Sequence, residues 1–465
     1  MNQTLPPYRL KALGSLLALL SLVSCGGNDN PAPGPLVTTP SEIRVVTAAE
    51  MNDEDLNTIL FQARSGQTIS LPSGRYVFKK PLKLNVNKIT VQGTGNGSDP
   101  AKDTILSFKN ASEGNGFEAR FVKGITLRKF AVEDAVGDAI LVADSTDVLM
   151  DTVRAEWTTD PVHTSRMAYG LYPVASDNVT IINSKAIGTR DAGIYVGQSK
   201  NITVSGNEVY YNVAGIEIEN SQNALVEKNN VHDNSGGILV FALPGTYRFK
   251  DNVNTLVRDN QLRANNQPIA DNATGFVRSV PPGTGIMVLA SQNTEVSNNI
   301  ISDHLTTALL AVSFQATGIY FDPKVYDPYL RGYLARGNII TNFGSKPGGA
   351  FADPAGLGQM VSGLFANLKS NLMPERLAAT VWDGIVDPAT GSTGSQGQGG
   401  NYSGNQKICS GGNTLDTPNL PGLISYETID LDLMALLQGL SAGPNFPFPE
   451  RMNCTITLPT VTGKP

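Results

Sequence analysis

Charge is scarce in this 465-residue chain: Asp, Glu, Lys and Arg make up only 16% of it. His, Cys and Trp are scarcer still, at 3, 3 and 2. That is too little His and Cys for a His/Cys-rich metal centre, so no metal site is predicted. The formal net charge is −6 and no long basic run occurs. A duplex-binding protein would show a basic footprint, so a nucleic-acid partner is not expected. No apolar stretch reaches the ~20 residues a membrane-spanning helix needs. P-loop, His-Glu-x-x-His and Gly-x-Ser-x-Gly motifs are all missing, which removes support for nucleotide, zincin and α/β-hydrolase chemistry. No cofactor is predicted. Gly (47) and Asn (39) fill the gap. Both are poor helix formers, which disfavours a mainly helical protein and rules out a coiled coil.

The N-terminus is read as an export signal. Arg9 and Lys11 precede the apolar run Leu13–Val23, whose 11 residues are signal-peptide length. The run ends in Leu22-Val23-Ser24-Cys25, followed by Gly26-Gly27-Asn28. This resembles the lipobox of bacterial lipoproteins. The resemblance implies cleavage before Cys25, a diacylglycerol on its sulfur and, with Gly26 rather than Asp next, an outer-membrane address. Residues 1–24 are then the signal peptide, and the Pro/Gly/Asn-rich residues 25–42 a flexible tether. Loss of Arg9 and Lys11 takes the net charge from 35 − 41 = −6 to 33 − 41 = −8. With Cys25 lipidated, Cys409 and Cys454 remain in an oxidising compartment, where a disulfide is expected. A Cys nucleophile is the rival reading, but neither Cys has a His nearby in sequence.

A repeat organises the rest. Gly, apolar, x, apolar, x, x, Ser, x, Asn recurs as GLYPVASDN from Gly170, GIYVGQSKN from Gly193, GIEIENSQN from Gly215 and GIMVLASQN from Gly285. Gly170, Gly193, Gly215 and Gly237 step by 23, 22 and 22. Asn207, Asn229, Asn260, Asn299 and Asn338 step by 22, 31, 39 and 39, a constant coil with loop insertions. Inside each unit apolar residues alternate, as in Ile194 and Val196, Ile202 and Val204, then Val209. Period two means strands. Three strands of four or five residues cannot bury a face alone, but stacked at ~4.8 Å per layer they enclose a core between three parallel sheets. The prediction is an all-β solenoid of about 22 residues per coil and roughly 10–12 coils. Asn178, Asn201 and Asn223 recur at one turn and can form a side-chain ladder. A β-sandwich is the bland alternative, but its hairpins require no fixed period.

The repeat resembles the right-handed parallel β-helices of the pectate-lyase type, in particular the Asn/Gly-rich branch with NosD-like periplasmic proteins and mannuronan epimerases. Residues 56–78 (LNTILFQARSGQTISLPSGRYVF) are similar to that superfamily's opening, which implies an N-terminal helix capping the first coil. The stretch AYGLYPVASDN…DAGIYVGQSKN…VAGIEIENSQN…GGILVF resembles one family of bacterial β-helix lipoproteins. The resemblance spans about residues 43–415 and leaves 416–465 as a segment packed on the solenoid. Met360, Leu364 and Leu368 predict a short helix over 355–370. A second is predicted over 427–440, and 407–414 reads as the last coil.

Side chains at +1 and +3 after each Gly point inward, those at +2 and +4 outward. The +2 column reads Leu141, Tyr172, Tyr195, Glu217, Leu239, Met287, Leu310; the +4 column reads Ala143, Val174, Gly197, Glu219, Phe241, Leu289, Val312. So apolar an outward face predicts covering by loops, with insertions after Phe241 and Arg263 as the candidates, or a binding surface. Glu217 and Glu219 break the pattern. With Tyr195 one layer away and Arg190 and Asp191 in the preceding turn, they are the candidate catalytic set. Tyr172 and Tyr195 are the candidate sugar-stacking residues. The alternative is that the two Glu are solvated or paired to a loop. Asp160-Pro161-Val162-His163, followed by Arg166 and Tyr169, superficially resembles the Asp-Pro-His-Asp site of mannuronan epimerases. Val162 intervenes and no Asp follows His163, so a surface loop is the reading there. The functional expectation is an envelope lipoprotein, held to a membrane by its lipid, that binds or processes polysaccharide by lyase, epimerase or glycosidase chemistry. The alternative is a non-catalytic accessory protein serving an envelope partner.

Overall fold

The computed structural model describes residues 42–159, 169–245, 247–269, 275–390, 401–416, 426–433 and 452–461. Cys25, the tether and the Asp160/His163/Arg166 loop lie outside the described residues.

Each coil gives one strand to each of three parallel ladders. One ladder is an 11-stranded sheet, in line with the expected coil number. It includes Leu171–Val174, Ala192–Gly197, Ala214–Glu219, Gly236–Phe241, Thr284–Leu289 and Thr307–Val312. The other two ladders are built from pairs such as Lys200–Ser205 on Gln222–Glu227 and Glu208–Tyr210 on Asn230–His232. They fuse into a single 21-stranded sheet because Lys123–Glu133 and Thr146–Glu156 run 11 residues each without a break and pair along their length. Two continuous sheets therefore stand where three separate ones are predicted, with the coil geometry unchanged. Ile194, Val196, Ile202, Val204 and Val209 are fully buried, as the alternation requires.

Asparagine holds the turns. Asn178, Asn201, Asn223, Asn254 and Asn293 all have φ between 55 and 61°, a left-handed turn that Asn tolerates. Each of the last four donates its side-chain amide to the Asn one coil earlier, at 3.0–3.2 Å. A second ladder, Asn207–Asn229–Asn260–Asn299–Asn338, is buried and bonded throughout. A third runs Asn212–Asn234–Asn265 and ends on His304, whose Nε2 lies 3.0 Å from the Asn265 amide. Burial pushes His304 down to about 3, so it accepts this bond as a neutral ring.

The first coil is capped by a helix, Asp53–Gln62, which buries Leu56 and Leu60. Asn52 starts it, its side chain accepting the N–H groups of Glu54 and Asp55. A second helix, Gly356–Ser370, falls where the i, i+4 pattern predicts and buries Leu364 and Leu368. The helix predicted over 427–440 does not begin there: Thr428–Asp430 is a strand that pairs with Thr380–Trp382. Ile429, Leu431 and Leu433 alternate with Asp430 and Asp432, which is strand period, and the stack therefore continues past residue 415.

Cys409, in the strand Ile408–Ser410, is bonded to Cys454, with 5.2 Å between Cα atoms. The bond pins the tail segment around Cys454 to one of the last coils. It closes a loop of 45 residues. Cys454→Ser is expected to cost up to about 4 kcal/mol through the freer unfolded chain. A lower unfolding midpoint that reductant does not lower further is the signature.

Candidate functional site

The outward face of the 11-stranded sheet is covered along much of its length. Leu239, Phe241, Met287, Leu289 and Leu310 are each at most 4% exposed. Inserted residues do the covering: Phe276 packs edge-on against Phe241 at 5.3 Å and stacks on Phe314 at 5.8 Å. The Tyr326 hydroxyl ties its own loop down by donating to the Ala242 carbonyl at 2.6 Å.

Over the two glutamates the cover leaves a pocket of about 670 Å³. Its floor is Tyr172, Val174, Asp191, Tyr195, Glu217 and Glu219; its walls come from the inserted segments around Tyr247, Phe276 and Arg278. Gln198 anchors one wall, its side-chain oxygen accepting the Phe249 N–H at 3.0 Å.

Register builds the floor. Tyr195 pairs with Glu217, and Gly197 with Glu219. Gly197 leaves the space that Tyr195 uses: a Cβ there would stand 2.3 Å from the Tyr195 ring. Folded over Gly197, the Tyr195 hydroxyl donates to the Glu219 carboxylate, and so does the Glu217 carboxyl. Tyr169 donates to Asp191. The three rings Tyr169, Tyr172 and Tyr195 pack on one another with centroids 4.4–5.1 Å apart. Asp138 steadies this cluster by accepting the Tyr169 backbone N–H at 3.0 Å.

The electrostatics are unusual. Glu217, Glu219 and Asp191 are 2, 7 and 6% exposed. Burial, then the neighbouring Glu219 and Asp191 carboxylates, pushes Glu217 well above the usual carboxylate range. Burial raises Glu219 to about 7 despite the bonds it accepts, and burial with the Glu219 charge raises Asp191 to about 7. Among the described residues, Glu217 Oε2, Asp191 Oδ1 and Gln198 Nε2 are buried with no hydrogen-bond partner. Unpaired buried polar atoms are costly, about 1–3 kcal/mol each, and all three belong to side chains that line the pocket.

Glu217 and Glu219 lie two residues apart on one face of the strand Ala214–Glu219 and interact directly. They act as one unit that holds a proton near neutral pH and can exchange it with an oxygen seated in the pocket. Any chemistry that needs a second, separate carboxyl falls to Asp191.

The structure thus gathers Glu217, Glu219, Asp191, Tyr195 and Tyr172 around one pocket. Arg190 is buried but does not line it. Sequence reasoning missed Tyr247, Phe276 and Arg278, which sit on insertions that no repeat register reaches. It placed Tyr169 in a surface loop, because the insertion before Gly170 breaks the period there. It passed over Gln198, whose position one residue past the outward column gave no signal.

Residues 104–253 match the family described as the right handed beta helix region. No curated protein matches the chain in sequence. Among solved structures, the A-module of an Azotobacter vinelandii mannuronan C-5 epimerase aligns at 14% identity over 81% of this chain and 94% of that one, with a TM-score of 0.42. An alginate lyase from a Paenibacillus strain aligns at 13% identity over 64% of this chain and 95% of that one, TM-score 0.39. DFA-IIIase from Arthrobacter chlorophenolicus aligns at 14% over 80% and 97%, TM-score 0.39. With parallel ladders throughout and this family match over residues 104–253, the chain folds as a right-handed parallel β-helix.

Proposed function

We propose that this chain is a lipid-anchored cell-envelope protein that binds and processes polysaccharide in the pocket over Glu217 and Glu219. The observation that carries the reading is the buried Glu217–Glu219 pair, holding a proton near neutral pH with an unpartnered oxygen in a pocket walled by tyrosines. A volume of about 670 Å³ falls within the range of small-ligand sites. Tyrosine faces offer a sugar ring an apolar platform, and the carboxyl pair offers acid–base exchange at a glycosidic or ring oxygen.

The test is Glu217→Gln/Glu219→Gln, assayed for binding and turnover on a panel of neutral and acidic glycans. Loss of turnover by 10²-fold or more, with the fold retained, is the expected result. Unchanged behaviour towards every glycan, with a loss of thermal stability, would remove the catalytic reading and leave an accessory role in the envelope.

Anchoring rests on the lipobox-like Leu22-Val23-Ser24-Cys25. Cys25→Ser is expected to move the protein from the membrane to the soluble fraction. Continued partition with membranes would contradict the lipid anchor.

A further inference from the structure

We infer, taking this pocket as the glycan site, that its ligand carries a positively charged amino group: an amino sugar, not a uronate. The described lining holds three carboxyls (Asp191, Glu217 and Glu219) against one cationic side chain, Arg278. Each carboxyl is more than nine-tenths buried, and no Lys or Arg is ion-paired to any of them among the described residues. Glu217 Oε2 and Asp191 Oδ1 have no hydrogen-bond partner among the described residues.

A sugar ammonium matches this deficit. It brings three N–H donors and one positive charge to two orphaned acceptors and a carboxylate pair. The faces of Tyr172 and Tyr195 attract a cation further. Gln198 Nε2, also without a partner, remains as a donor for a sugar hydroxyl. A uronate would instead bring a further carboxylate into a poorly solvated site that already holds three carboxyl groups and a single Arg, which desolvation and repulsion by whichever of the three are ionised both disfavour. An N-acetylated sugar has the shape but not the charge.

The ammonium also stabilises the ionised carboxyls. Binding near pH 7 therefore drives protons off groups that are partly protonated in the free protein, Asp191 and Glu219 among them. Proton release is a readout that a purely structural cluster would not give.

The experiment is calorimetry of the full chain with three probes at pH 7: a glucosamine trisaccharide, its N-acetylated form and a uronate trisaccharide. Each is run in two buffers of different ionisation enthalpy. The expected result is at least tenfold tighter binding of the amino form, protons released on binding, and loss of the preference in both Glu219→Gln and Asp191→Asn. Equal or tighter binding of the N-acetylated or uronate probe, abolished by those same variants, overturns the inference while the pocket stands as the glycan site. A preference for the amino form that survives both variants overturns it by placing the ammonium elsewhere. Binding of none of the three overturns the inference and counts against the glycan reading with it.

Discussion

The protein is expected to be less stable at pH 8 than at pH 5, and Glu219→Gln is expected to restore part of the difference. A carboxyl whose folded pKa is raised is protonated in the native state while the unfolded chain has already ionised. Its stability contribution is fully present below the unfolded value and is lost as pH rises through the folded one. For Glu219 that window runs from 4.5 to about 7, and for Asp191 from 3.8 to about 7. Above it, Glu219 alone costs about 3 kcal/mol. Asp383, fully buried and raised to about 8, acts in the same direction. His304 opposes them: held near 3, it costs stability as pH falls below 6.5, by about 2 kcal/mol at pH 5. The three carboxyls outweigh one histidine. Glutamine is isosteric and keeps an oxygen to accept the Tyr195 and Glu217 bonds while removing the charge. The unfolding midpoint of the variant at pH 8 should rise, and its fall between pH 5 and pH 8 should shrink. A wild-type midpoint that is flat or rising over that range, or a variant less stable at pH 8, would contradict the burial of this cluster.

The second large effect lies in the coil. Asn229 accepts the backbone N–H of Asn207 at 3.0 Å and its amide at 2.9 Å, and donates to the Val204 carbonyl and to Asn260 Oδ1. All of this is buried. Asn229→Leu would leave at least two buried groups without partners, at about 1–3 kcal/mol each, for a loss on the order of 2–6 kcal/mol. Asn223→Gly is the control. Glycine adopts the same left-handed turn, and the two bonds lost, to Asn201 and from Asn254, are only part-buried, so a cost of about 1 kcal/mol is expected. Comparable losses from both variants, followed by urea unfolding, would show that the inner ladder is not special.

The fold was legible because the repeat repeats its physics. Each Gly-apolar-x-apolar unit states a strand, each Asn a turn, and the 22-residue step states that they stack. Alternation also projects Tyr195, Glu217 and Glu219 onto one face, and two ionisable groups in an apolar column single out a candidate site from the sequence alone. The misses fall where the period fails. Tyr247, Phe276 and Arg278 reach the pocket from insertions, whose path depends on what they pack against. Arg190 is next to Asp191 in sequence, but a turn sends neighbours in different directions and only Asp191 faces the pocket. Where a helix is predicted from residue 427, the parallel pairing available on Thr380–Trp382 makes Thr428–Asp430 a strand, and residues 434–440 of that expected helix lie outside the described residues.

The central claim is that Glu217 is a neutral acid in a working pocket. The direct measurement is infrared difference spectroscopy at pH 7 between the protein and Glu217→Gln, read at the carbonyl stretch of a protonated carboxyl. The account predicts a protonated-carboxyl band in the wild type that the substitution removes, and that shifts when a bound sugar engages Oε2. A spectrum with only ionised carboxylate lost on substitution would contradict it.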